Sequence, residues 1–273
     1  MSSLSNIREE SRIRQSQPVG TGIESTTSAW RGLYKVGGAA ALIAGLIFRR
    51  NFGAEVSLFS SQAPPSTIGD WFSLLHQNRL LGLTYLAVFD IVDYALLVLM
   101  FLALYVALRR TNPSAMLIAT TLGIAGTAVY FASNNIFSML FLSDQYAAAT
   151  TETQRSMLLA AGQAVLALNN PGAVFEGTGI YMSFLLLAAA GLIISVTMLR
   201  SNLFNRVTAW IGILASGLDL TYCLTFAIVP ALTVFLMSAA GLFFMLWHIL
   251  VGLRLFQLAN FKAGGVALGM AIG

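Results

Sequence analysis

The chain has 273 residues, of which 57% are hydrophobic and only 10% charged, with a mean hydropathy of +0.78. Soluble domains carry about 25% charged residues, so a water-soluble globule, a disordered chain, a collagen and a disulfide scaffold are all excluded. The formal charge of +4 and the pI near 9.5 do not mark a nucleic-acid binder, because the basic residues punctuate apolar segments instead of clustering on one polar face. The single cysteine, Cys223, lies in an apolar stretch, so no intrachain disulfide forms.

Residues 1–29 are polar, with Arg8, Glu9, Glu10, Arg12 and Arg14 and no apolar core. A cleaved signal peptide needs such a core, and Glu9, Glu10 and Glu24 argue against a mitochondrial presequence. The segment reads as a disordered cytoplasmic tail, and residues 259–273 as a second, short one. Between them, residues 30–258 are expected to form an all-α domain of six membrane-spanning helices, at about 20 apolar residues per crossing. The spans fall at about 30–48, 85–108, 115–141, 178–199, 207–229 and 231–253. Pro230, which has no N–H to donate, marks the reversal between the last two.

With six spans both ends lie on one side, and the basic residues choose that side. Arg8, Arg12, Arg14, Arg31, Lys35, Arg109, Arg110, Arg200, Arg206, Arg254 and Lys262 fall with the termini, against Arg49, Arg50, Arg79 and Arg155 opposite. Eleven against four places both termini in the cytoplasm of a cell that carries the protein in its plasma membrane. The cytoplasmic turns are short and polar, Thr111-Asn112-Pro113-Ser114 and Ser201-Asn202-Leu203-Phe204-Asn205. The outer linkers ahead of the second and fourth spans are each more than 30 residues long, which implies structure of their own.

Both outer linkers hold helix signals. Thr67 and Asp70 stand at capping-box spacing after Pro64-Pro65, followed by Trp71, Phe72, Leu74 and Leu75. Thr151 and Gln154 repeat the spacing, and Met157, Ala161, Ala164, Val165 and Leu168 then form an apolar face before Asn169-Asn170-Pro171-Gly172 stops the helix. Two short amphipathic helices are expected there, lying along the interface with those faces down. The order of outer helix, span, Arg-bearing turn and span occurs twice, turning at Arg109-Arg110 and at Arg200. It reads either as an internal repeat of the transporter kind or as the echo that any hairpin bundle gives.

Charge at bilayer depth is costly, about 2.5–3.5 kcal/mol for an aspartate, so each exception carries information. Asp90 and Asp93 share one face of the second span, about 8 and 12 Å below an outer end set at Tyr85. Asn134 and Asn135 fall in the outer third of the third span, and Glu176 stands at the outer start of the fourth. Topology therefore gathers Asp90, Asp93, Asn134, Asn135 and Glu176 under the outer helices. Carboxylates with amide oxygens suit a proton or a hard cation such as Na⁺, Ca²⁺ or Mg²⁺. The alternative is that these groups cap helices or bridge neighbours in the headgroup region. Asp219 is placed near the bilayer centre, either as a relay or as a structural group satisfied locally by Tyr222. His248 lies about 10 Å nearer the cytoplasm and is not its direct partner.

Zinc chemistry is not supported by two histidines, His76 and His248, on opposite sides of the membrane. No Gly-x-Ser-x-Gly elbow, Walker loop or dinucleotide fingerprint occurs, so no cofactor or catalytic set is implied. Gly37/Ala41/Gly45 and Ala119/Gly123/Thr127 permit close helix contact, within one chain or in an oligomer. Trp30, Trp71 and Trp210 read as interfacial anchors.

Asn78-Arg79-Leu80, Phe89-Asp90, Leu104-Tyr105-Val106-Ala107-Leu108-Arg109, Asn112-Pro113 and the opening Tyr34-Lys35-Val36-Gly37-Gly38-Ala39-Ala40 form a recognisable set. The chain resembles, over about 30–258, the bacterial and archaeal six-span membrane family known as domain of unknown function 4386. Members often carry a histidine in the fourth span, where this chain has Phe175-Glu176-Gly177. The resemblance implies a fold and a membrane location and carries over no activity. The leading expectation is a non-enzymatic membrane protein with an outward polar pocket of Asp90, Asp93, Asn134, Asn135, Glu176 and Asp219 for a small ligand or cation. The alternatives are an accessory subunit of a membrane complex and an intramembrane hydrolase.

Overall fold

The computed structural model describes residues 30–51, 65–170 and 176–260. The expected tail at 1–29, Pro171-Gly172 and residues 261–273 lie outside the described residues. The described residues are helical and contain no strand. In chain order the helices are α1 (Arg31–Asn51), α2 (Ile68–Gln77), α3 (Arg79–Tyr85), α4 (Val88–Leu108), α5 (Pro113–Ser133), α6 (Ile136–Ala148) and α7 (Glu152–Leu168). They continue with α8 (Thr178–Leu199), α9 (Arg206–Thr225), a 3₁₀ turn (Pro230–Leu232) and α10 (Thr233–Asn260).

Six long helices form a closed ring. Each of α1, α4, α5, α8, α9 and α10 packs on its neighbour in chain order, and α10 returns to α1. Five segments among the described residues are long and apolar enough to cross a membrane: α4, α5 with α6, α8, α9, and the 3₁₀ turn with α10. Lipid offers helices no hydrophobic reason to associate, so close van der Waals contact must do it, and small residues permit that. A methyl group built at Gly37 would stand 2.3 Å from Ala103 Cβ of α4, and one at Gly252 would stand 2.9 Å from the Gly38 carbonyl oxygen. One at Gly123 would meet the Phe101 ring at 2.6 Å. The small-residue stripes are thus used inside the chain.

At one end of the ring the remaining helices form a cap, with α2 packed on α3, α6 and α7, and α6 on α7. Trp71, Phe72, Leu75, Leu86, Ile136 and Met139 make its apolar core. Ser143 Oγ donates to the Phe72 carbonyl at 2.9 Å, and Arg79 pairs with Asp144 at 2.7 Å across α3 and α6. The exposed ion pair contributes little, while the buried serine bond fixes α6 against α2.

The cap residues read from the sequence start the helices they mark. Thr67 Oγ1 accepts from the Asp70 N–H and Thr151 Oγ1 from the Gln154 N–H, both at 3.2 Å. The return arms differ from a full capping box: Thr67 donates to the Asp70 carboxylate, and Gln154 accepts from the Thr150 N–H. Asn112 and Asn205 cap α5 and α9 by accepting from the Ala115 and Val207 N–H groups.

Four expectations are corrected. The third span is not one helix to residue 141, because Asn134 Oδ1 accepts from the Ile136 N–H at 3.1 Å, starts α6 and ends α5 at Ser133. The second begins at Val88 instead of Tyr85, because Ala87 takes a left-handed conformation, φ 64°. Trp71 is not an interfacial anchor but lies buried in the cap core. Helix α7 turns Gly162, Leu159, Val165 and Leu166 toward α2, leaving Met157 and Leu168 exposed at 66% and 67%. The reason is that a side chain at Gly162 would strike Phe72, so the closest approach falls at the glycine.

Gly177, φ +118°, lets the chain enter α8 directly beneath Leu168, whose carbonyl oxygen would stand 2.0 Å from an added methyl group. Gly177→Ala is expected to lower thermal stability severely, by several degrees or to failure of folding. Ala87→Gly should raise it by about 1 kcal/mol by removing left-handed strain. Melting of the two purified variants in detergent checks both, and equal effects would contradict the assignment.

Candidate functional site

The shortened helices decide which ionisable groups meet. Asp90 and Asp93 lie about 3 and 8 Å below the start of α4 at Val88, at 1.5 Å per residue. Helix α9 ends at Thr225 instead of 229, which brings Asp219 to about 9 Å from that same end of the ring. Asp219 thus lies between the middle of α9 and its capped-side end. Tyr130, three residues before the end of α5, and Tyr222, three before the end of α9, lie at about 5 Å. One layer beneath the capped end therefore holds groups from α4, α5, α8 and α9.

Electrostatic proximity joins these groups across the ring. Asp90, Glu176 and Asp93 act on Tyr130; Asp90, Asp219 and Asp93 act on Tyr94; Glu176 and Asp219 act on Tyr222. Asp90 also acts on Asp93. Tyr94 and Tyr130 stack with centroids 3.6 Å apart and planes 14° from parallel, fixing α4 against α5. Phe184 packs against both the Tyr94–Tyr130 cluster and the cluster of Tyr222, Cys223 and Leu236. Tyr181 donates to the Cys223 carbonyl at 2.6 Å, linking α8 to α9.

The expected residues thus divide by role. Asp90, Asp93, Glu176 and Asp219 each lie within electrostatic reach of at least one of Tyr94, Tyr130 and Tyr222, but no three of them stand together closely enough to hold a metal ion among the described residues. Asp90 also sits in the first turn of α4, where an acid suits the helix N-terminus. Asn134 serves the break between α5 and α6: its oxygen caps Ile136 and its amide nitrogen donates to the Tyr130 hydroxyl at 3.4 Å. Asn135 occupies the N-cap position of α6 without a capping bond from its side chain. His248 belongs elsewhere, its Nδ1 donating to the Phe244 carbonyl at 2.6 Å beside Trp247. The tyrosines were the residues the sequence reading missed, Tyr222 excepted. Their signal was position: Tyr94 adjoins Asp93, and Tyr130 precedes Asn134 by one helical turn.

Asp93 is the most constrained member. It is 3% exposed, and its Oδ1 has no hydrogen-bond partner. An uncompensated buried carboxyl oxygen loses its water and gains nothing in return, at a cost of about 1–3 kcal/mol or more. Below this layer the ring is filled by Met100, Leu104, Met116, Ile194, Trp247 and Val251, with His248 buried beside Trp247. A shallow cleft of about 440 Å³ lies elsewhere, on the cap between the end of α6 and the start of α7, lined by Gln145, Gln154, Met157 and Ala161. It touches none of the carboxylates.

Long apolar helices closed into a ring define the class, an all-helical membrane protein. The chain belongs to the family described as a domain of unknown function (DUF4386), whose model matches residues 70–257, from within α2 to the last turn of α10. No curated protein and no solved structure matches the chain.

The buried Asp93 Oδ1 without a partner carries a prediction. Asp93→Asn replaces a buried ionisable group beside Asp90 by a neutral one of the same shape, and is expected to raise the stability of the ligand-free protein by roughly 1–3 kcal/mol. Thermal melting of wild type and variant in the same detergent measures this. Destabilisation of similar size would identify Asp93 as a structural group.

Proposed function

We propose that the protein is a six-span plasma-membrane protein whose capped end, facing away from the cytoplasm, binds a small cationic ligand. Binding, or transport that proceeds through it, is its activity. The observation that carries the reading is the Asp93 Oδ1, buried without a partner among Asp90, Glu176 and Asp219. A group held at such cost is best explained by a ligand that supplies the missing charge. The break between α5 and α6 supports it as well, since interrupted membrane helices point their carbonyl ends at bound cations. Helix α1 is the sixth span, lying between α4 and α10. The eleven-to-four split of basic residues sets the orientation.

Purified full-length protein melted in a panel of cation salts at matched ionic strength tests the binding. A ligand at 100 times its Kd adds about 2.7 kcal/mol, visible as several degrees. That gain should vanish in Asp93→Asn. Melting unchanged by every cation would remove the reading.

Orientation is checked with single cysteines in a Cys223→Ser background. Ser156→Cys on α7 should react with a membrane-impermeant maleimide on intact cells, and Ser114→Cys only after permeabilisation. The reverse pattern would invert the topology.

A second reading, an accessory subunit, is favoured by the stripe Met157, Ala161, Ala164 and Leu168, which is exposed along α7 at helical spacing. The same melting panel separates the two, because a scaffold has no cation to respond to.

A further inference from the structure

We propose that the end of the ring away from the cap holds the headgroup of an anionic lipid, its phosphate bound by Arg109 and Arg110 beside Tyr34 where α4 meets α1. This end lies opposite the carboxylates, and its chemistry is independent of the cation reading.

Charge is sorted along the ring. Every acidic residue among the described ones, from Asp70 to Asp219, lies in the cap or in the layer beneath it. The other end carries Arg31, Lys35, Arg109, Arg110, Arg200 and Arg206. Among the described residues no carboxylate lies at that end, and the ion pair of Arg79 with Asp144 belongs to the cap. An anion for these arginines has to come from outside the described residues.

Depth sets where that anion sits. Helix α4 runs 21 residues, about 31 Å at 1.5 Å each, which matches a hydrocarbon core of about 30 Å. Arg109 and Arg110 follow it directly, so they stand where acyl chains give way to headgroup phosphates. Trp30, the residue ahead of α1, suits the same boundary.

Geometry singles out one corner of the end. Helices α1 and α4 pack closely there, since Gly37 leaves no room for a methyl group against Ala103. The Arg109 guanidinium lies 5.3 Å over the Trp30 ring, and both Arg109 and Arg110 act electrostatically on Tyr34. Tyr34 is half-buried and Arg110 exposed. A guanidinium held over a ring keeps N–H groups at its edge, and its planar fork matches phosphate oxygens. Arg254 is the contrast, because it is spent within the chain on the Leu203 carbonyl and on Gln257. Along the same helix as Tyr34, Val36 and Ile43 are exposed at 48% and 46%, an apolar flank for acyl chains. Phosphate-binding groups above such a flank fit a lipid better than a free anion.

Full-length protein in a neutral detergent is melted with added phosphatidylglycerol, phosphatidylcholine or inorganic phosphate, and native mass spectrometry counts the lipid retained. Phosphatidylglycerol should raise the melting temperature by several degrees and stay bound after phosphatidylcholine has been stripped. Arg110→Gln should weaken its apparent affinity about fivefold, and the pair Arg109→Gln and Arg110→Gln roughly twenty-five-fold, one step per basic residue at a lipid surface. The pair Arg200→Gln and Arg206→Gln removes the same charge from another corner and should leave the affinity unchanged. Should the Arg109 pair fail to fold without its contact to Trp30, the exposed Arg110→Gln still decides. Equal stabilisation by the two lipids, or an unchanged affinity in Arg110→Gln, would overturn the proposal. So would equal loss in the two double variants, the mark of a diffuse basic rim, or a full response to inorganic phosphate, the mark of an anion site without a lipid.

Discussion

The contact between α1 and α10, where Gly38 and Gly252 bring two backbones together, closes the ring, and the interior exists only because it is closed. A methyl group at Gly252 would stand 2.9 Å from the Gly38 carbonyl oxygen and force a shift, while one at Gly38, 3.2 Å from the Gly252 carbonyl oxygen, would need its neighbours to give by a few tenths of an ångström. Gly37 against Ala103 and Gly45 against Ile249 extend the contact along α1 to both of its neighbours. In an apolar solvent such contacts stand where hydrophobic burial would stand in water. Opening the seam would give the carboxylates of α4 and α9 a route to lipid, where they are least tolerable.

Closure also divides the ring along its axis. Away from the cap, Met100, Leu104, Trp247, Val251 and Leu255 fill the space between helices, and they are almost wholly buried. Toward the cap the filling changes to tyrosine and carboxylate. The ring is therefore plugged by apolar side chains at the end away from the cap. The bare end is tied by short contacts of another kind: Arg109 lies 5.3 Å over the Trp30 ring, and Arg254 donates to the Leu203 carbonyl. These arginines serve as packing as well as topology.

Much of this was legible because a few local rules are strong. Thr67 and Thr151 cap the helices that their spacing announces, and the turn residues Asn112 and Asn205 cap two more, since an N–H left over at a helix start needs an oxygen close in sequence. Helix ends within apolar runs were not legible, and two of them controlled the site. Nothing in Thr-Tyr-Leu-Ala-Val-Phe announces that Ala87 will turn left-handed, nor does hydropathy separate Thr225 from Val229. Those few residues bring Asp219 to about 9 Å from the helix end, close to the roughly 8 Å of Asp93 from the start of α4. The face of α7 was misread for a related reason. It carries apolar residues on two sides, and Gly162, which hydropathy ignores, decides which one packs.

The irregular backbone gathers where the charges are. Among the described residues only Ala87 and Gly177 have positive φ, and each stands just ahead of a helix that brings a carboxylate to the layer, Asp90 with Asp93 on α4 and Glu176 beside α8. The third irregularity, the Asn134-Asn135 break, ends α5 one turn beyond Tyr130. A left-handed alanine and an unpartnered buried carboxyl oxygen each cost about 1–3 kcal/mol, and a bundle built only for stability would lose both readily, by glycine at one position and an apolar residue at the other. The two costs meet near the capped end, whereas the partnerless Ser195 Oγ, Ser216 Oγ and Trp247 Nε1 lie deeper in the ring, so buried polar atoms without partners are spread along its length and Asp93 is set apart by its charge type and not by its lack of a partner.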